Sequence, residues 1–142
     1  MNPNEIRALS WKQPFATLML HGKIETRTWP TKYRGLVLIC ASKQPYGFNT
    51  IKEIAGDYQY NRIMELIIDV PLHYGHAIAV GKLVDCRPMW KDDEDACFVQ
   101  YFPSALWCHV YEDVRAIEPM PFKGKQGWGK LDQEFINRIK FL

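Results

Sequence analysis

The spacing of apolar and polar residues changes period several times along the 142-residue chain. Ile6-Arg7-Ala8-Leu9-Ser10-Trp11 alternates as a short strand does. Pro14 suits a first helical turn, and Phe15, Leu18 and Met19 follow at helical spacing. Gln13 to His21 therefore predicts a short helix, with Gly22 as its C-terminal stop. From Lys23 to Trp29 the alternation is of charge: base, acid, base and indole stand at every second position. In an extended segment Lys23, Glu25, Arg27 and Trp29 project to one side, and Ile24, Thr26 and Thr28 to the other. Three ionisable groups and a stacking surface on one face make a poor core and a plausible site; the plain alternative is an edge strand with a solvated face.

Pro30 interrupts that segment, and Thr31 to Gly35 reads as a loop. Leu36 to Ala41 is short and continuously apolar, as a strand buried on both faces is. Ile51, Ile54, Tyr58, Met64, Ile67 and Ile68 predict one helix, or two broken near Gly56-Asp57. Ala77 to Cys86 predicts a long strand with a bulge or bend at Gly81. Lys91 to Asp95 reads as a solvated acidic loop. Trp107–Tyr111 and Val114–Ile117 read as two strands with Glu112-Asp113 between them, and Asp132 as the cap of a closing helix through Ile139. Five or six short strands with two or three helices at one side predict an α+β fold, a small mixed β-barrel. The length predicts one domain over residues 1–142.

Composition narrows the function classes. No run of about 18 apolar residues offers a membrane span, and the N-terminal segment does not read as a secretory signal, so a cytoplasmic setting is expected. Cys40, Cys86, Cys97 and Cys108 form no CxxC pair and are expected as thiols. His73-x-x-His76 and Cys108-His109 are the only hints of metal ligation and lack further ligands at a familiar spacing, so no metal and no cofactor is expected. The net charge of +2 hides an uneven distribution. Residues 1–45 carry seven Lys/Arg against two Glu, while residues 46–95 carry five bases against nine acids. A basic first third suits an anion such as phosphate.

Ala8-Leu9-Ser10-Trp11-Lys12-Gln13-Pro14-Phe15-Ala16, Gly22-Lys23, Glu25-Thr26-Arg27-Thr28-Trp29, Tyr33-Arg34-Gly35 and Ala41-Ser42-Lys43 resemble the opening of an ASCH domain, a family of the PUA-like superfamily. Gly81-Lys82-Leu83-Val84-Asp85-Cys86 resembles its central strand, and Val114 to Trp128 its closing segment. The resemblance covers nearly the whole chain in order. It implies a β-barrel with a cleft between barrel and first helix, where family members are proposed to bind RNA. Some bacterial relatives hydrolyse acylated cytidine with a lysine, a threonine and a glutamate, and at least one relative is a ribonuclease. The family's lysine, acid and arginine fall nearest Lys23, Glu25 and Arg27. The interval from Gly22 to Glu25 is two residues shorter than the family spacing, and Glu25 stands where the amidohydrolases carry threonine.

The leading expectation is an RNA- or nucleotide-binding protein. Arg27 and Lys23 would meet phosphate or a base edge, and Trp29 or Trp11 would stack on a base or else pack in the core. Lys12, Gln13, Lys32, Arg34, Lys43, Lys123 and Lys125 would extend the site. The alternative is an enzyme acting on a modified nucleoside, in the manner of an acylated-cytidine amidohydrolase, or on RNA as a ribonuclease. Lys23 and Glu25 would then be its catalytic pair. Neither reading involves a membrane, and no heptad or repeat indicates an oligomeric state. A third expectation, a protein-interaction module using the acidic loop and exposed aromatics, has no specific motif.

Overall fold

Six strands form one mixed sheet in the order β2-β5-β4-β3-β1-β6 in a computed structural model that describes residues 5–101 and 105–142. β1 (Ile6–Trp11) and β3 (Gly35–Ala41) run parallel, and every other pairing is antiparallel. β2 (Glu25–Arg27) is a three-residue edge strand, β4 (His76–Pro88) and β5 (Trp107–Pro121) are the long ones, and β6 (Gly129–Lys130) closes the far edge. The β4–β5 register shifts three times, at Ala77/Ala79, Val80/Lys82 and Leu83/Asp85. Such bulges bend and twist a long hairpin, and the sheet curls into a half-barrel. Arg27 on one edge reaches far enough across to donate a 2.9 Å hydrogen bond to the Ser10 carbonyl of β1, four strands away in the sheet order.

Both faces of the sheet are covered. Leu9, Trp11, Val37, Ile39 and Leu83 pack inside with residues of α1 (Phe15–Leu18), α2 (Phe48–Ala55) and α3 (Asp57–Ile67). Ala8, Leu38, Cys40, Val80 and Ile117 pack outside with Phe135 of α5 (Gln133–Asn137) and Ile139 beyond it. This two-sided burial is why residues 36–41 read as continuously apolar. Asp132 caps α5 as its sequence indicates, accepting from the Phe135 N–H at 2.8 Å.

The helical count, the acidic stretch and the 107–117 segment differ from expectation, whereas the break at Gly56 is one of the two alternatives the sequence offers. Among the described residues five α-helices replace the expected two or three; α1, α4 (Glu94–Cys97) and α5 are too short to display a period of their own. The Gln13–His21 helix is α1 continued by a 3-10 turn over Met19–His21, and the 51–68 segment is two helices with Gly56 at the break. The acidic stretch is no free loop: Lys91–Asp93 is a 3-10 turn leading into α4, because the Asp93 carboxylate accepts from the Trp90 N–H at 2.8 Å and pairs with Arg87. Residues 107–117 are not two strands but part of the single β5. Asp113, with φ of 51°, is absorbed as an irregularity while both halves keep β4 as their partner. No helix among the described residues is long and apolar enough to cross a membrane.

Candidate functional site

The site is built on the reversal between α1 and β2. Gly22 ends the 3-10 turn in the left-handed region, φ 83°, which a residue with a Cβ adopts at a cost. The reversed chain is pinned at once: the Lys23 N–H donates to Leu18 O at 3.2 Å and the Ile24 N–H to Ala96 O at 2.9 Å. β2 then pairs with β5, setting Glu25 opposite His109 and Arg27 opposite Trp107.

The alternating side chains converge as their spacing indicates. Lys23 Nζ donates to Glu25 Oε1 at 2.9 Å and to Ile24 O at 3.1 Å. Arg27 Nη2 stands 3.0 Å from Glu25 Oε2, and its guanidinium lies over the Trp11 ring, 4.9 Å from the centroid. The Lys23 side chain is 1% exposed, Glu25 8% and Arg27 20%, so the triad becomes more open from Lys23 to Arg27. Burial by itself would raise the Glu25 carboxyl. The Lys23 ammonium, the Arg27 guanidinium and the hydrogen bonds from Lys23 and the Thr26 N–H outweigh it and hold the group below its ordinary value. Glu25 is therefore an ionised counter-ion between two cations.

Aromatic rings wall the triad. Trp29 packs edge-on against His109 at 5.1 Å and against Trp128 at 6.0 Å, and Trp11 against Tyr111 at 6.0 Å. His109 Nε2 lies 2.8 Å from Trp29 O; a carbonyl only accepts, so Nε2 carries the proton. Burial is the main reason the His109 imidazole is held below its usual value, and the nearby Arg27 adds to it. Trp11 Nε1, Arg27 Nε, His109 Nδ1 and Tyr111 OH are buried without a hydrogen-bond partner among the described residues.

Beside the triad opens a cleft of about 1350 Å³. Of the residues singled out from sequence, Lys12, Lys23, Arg27, Trp29, Lys43, Lys123 and Lys125 line it, and so does Glu25. Three do not. Gln13 is 1% exposed, and its amide clasps Thr17 Oγ1 at 2.8 Å and His73 O at 3.0 Å, so it holds α1 in place. Arg34 turns back on Thr31 O and Tyr33 O, both at 2.9 Å, and clamps its own loop; exposed Lys32 stands beside it, away from the cleft. Ser10, Ser42 and Tyr46 line the cleft and escaped the sequence reading. Their cue lies in the topology. β1 and β3 are parallel, so their carboxyl ends, where Ser10 and Ser42 stand, open on the same edge.

Among the described residues no group of three or more His, Cys, Asp or Glu side chains is placed to hold a metal ion. All four cysteines are free, and Cys97 Sγ lies 3.8 Å from Sγ of Cys108, the β5 residue paired with Thr26 of β2.

No protein-family model and no curated protein sequence matches the chain. Among solved structures it is similar to the crystal structure of ASCH from Zymomonas mobilis, at 14% identity and a TM-score of 0.59, with 96% of this chain and 97% of that chain covered. The chain has an ASCH-like fold. A mutant form of the Zymomonas ASCH protein superposes equally well, at 13% identity and a TM-score of 0.60 over 95% of this chain and 99% of that chain. At these identities the likeness is one of architecture: the curled mixed sheet of the ASCH and PUA-like folds.

Proposed function

We propose that this ASCH-like chain binds single-stranded RNA in the cleft beside Arg27. The observation that supports the reading most is the division of labour among its cations. Lys23 is sealed beneath the floor by Glu25, whereas Lys12, Lys43, Lys123 and Lys125 are exposed around the rim with Arg27 between them. Among the described residues no acidic side chain other than the neutralised Glu25 lines the cleft. At about 1350 Å³ it exceeds the roughly 300–1,000 Å³ typical of small-molecule sites, which suits several linked nucleotides better than one nucleoside. Trp29 and Tyr46 supply ring surface along it, the element that reads unstacked bases.

The hydrolytic alternative needs Lys23 or Glu25 to exchange protons with a substrate. Both are engaged with each other, and Glu25 is held ionised. Nothing in the geometry favours that reading over binding.

The test is a titration of a mixed-sequence single-stranded RNA pool at low salt, on the wild type and on Lys12→Ala/Lys43→Ala/Lys125→Ala. The reading expects binding that is markedly weaker in the triple variant, with its thermal unfolding unchanged. No binding by the wild type at low salt overturns it.

A further inference from the structure

We infer that the carboxyl end of β1 and the segment Lys123–Gly127 form a seat for one phosphate group of the bound strand, built from the Ser10 hydroxyl, the Arg27 guanidinium and main-chain N–H groups. The inference rests on the RNA reading of this cleft and adds a defined subsite to it.

Ser10 is the hinge of the arrangement. Its carbonyl accepts from Arg27 Nη2 at 2.9 Å, which fixes the guanidinium across the cleft mouth. Nη2 is thus used twice by the protein, on Ser10 O and Glu25 Oε2, while Nη1 makes no hydrogen bond to a described residue. Ser10 itself lines the cleft, and its hydroxyl is likewise free of hydrogen bonds to described residues. Directly against it lies Gly124: a Cβ built there would stand 2.3 Å from Ser10 Oγ, closer than real atoms approach. A Cβ at residue 124 would therefore push either the Ser10 hydroxyl or the Lys123–Gly127 segment out of its present place.

The segment itself is rich in unclaimed donors. Residues 123–127 are exposed, and none of their N–H groups takes part in a backbone hydrogen bond given by the fold. Lys123 and Lys125 carry their charge at the same wall. Among the described residues Glu25 is the one carboxylate lining the cleft, and hydroxyl, guanidinium Nη1, consecutive amides and two ammonium groups form a donor set. A tetrahedral oxyanion with several acceptor oxygens answers it.

The test compares Ser10→Ala, Gly124→Ala and, as control, Gly47→Ala, a loop glycine whose Cβ would meet nothing within 4 Å. RNA affinity is read across a salt series, together with amide chemical shifts on adding inorganic phosphate to the protein at constant ionic strength. Gly124→Ala is expected to weaken RNA binding about tenfold, as the loss of charge-assisted hydrogen bonds does. The salt slope should become shallower although no charge is removed. Ser10→Ala should weaken binding less, and Gly47→Ala should not change it. Phosphate should shift the amides of residues 124–127 in the wild type, and not in Gly124→Ala. If the wild type binds RNA and both variants bind it with unchanged affinity and slope, the seat is overturned and the RNA reading stands. If the wild type binds no RNA, that reading falls, and the phosphate titration decides the seat: shifts lost in Gly124→Ala support it, and unshifted amides overturn it.

Discussion

Glu25 is the residue on which the site turns, because it makes burial of Lys23 tolerable. Removing one member of a buried ion pair leaves the other charge without a partner, which costs about 3–5 kcal/mol, whereas exposed pairs such as Arg115–Asp113, 64% exposed on each side, contribute little. Glu25→Gln is therefore expected to destabilise the fold by about 3 kcal/mol in urea unfolding, since Lys23 and Arg27 would face each other with no anion between them. An Arg115→Ala change should be near neutral in the same assay. At this scale the sequence was informative where chemistry follows from alternation, as at Lys23, Glu25, Arg27 and Trp29. It misled at Gln13, whose polar amide looks available on paper but is consumed by Thr17 and the distant His73 carbonyl. A contact 60 residues away in sequence has no local signature.

At the level of elements, the turn from α1 into β2 decides where the triad points. Gly22 holds φ at 83° with no atom within 4 Å of a built Cβ, so a side chain there would meet backbone strain and no clash. Gly22→Ala should cost about 1–2 kcal/mol of stability, read by thermal or urea unfolding, while Gly47→Ala in an ordinary conformation should cost well under half as much. Elements with a clean period were legible: β3 from its unbroken apolar run, the α2–α3 break from Gly56, and the α5 cap from Asp132. Those that failed lack a local signal. β5 stays one strand through Glu112-Asp113 because β4 pairs with both halves, and that partnership is set by tertiary contact. The acidic turn at 91–93 is ordered by Arg87, a residue of the preceding strand, through a bidentate pair at 2.8 and 2.9 Å.

The whole molecule responds to acid through groups whose charge the fold fixes. His109 is buried and held neutral, below its reference value of 6.5. Its unfolded form takes up a proton first as pH falls, so its contribution is full above about 6.5 and declines below it. Asp93 is lowered from 3.8 to about 2, chiefly by the hydrogen bonds from Arg87, and Glu25 is lowered as well. A lowered carboxyl stabilises above its unfolded value and loses that contribution as pH drops through the folded one. Stability should accordingly be flat near neutrality, fall modestly between pH 7 and 5 and fall again below pH 4, by unfolding midpoints across the range. His109→Gln should remove the first decline and leave the second.

The same scale explains the charge pattern of the chain. Its basic first third and the lysines of its closing segment are more than 75 residues apart in sequence, yet folding brings Lys12, Lys43, Lys123 and Lys125 around one opening. The most direct test of the account is the salt dependence of RNA binding. For a single strand each neutralised phosphate contributes roughly 0.7 to the slope of log affinity against log salt. Five cations at the cleft predict a slope of about −3.5, made shallower by about 2 in Lys12→Ala/Lys43→Ala/Lys125→Ala. A wild-type slope near zero, or a triple variant with the wild-type slope, would contradict it.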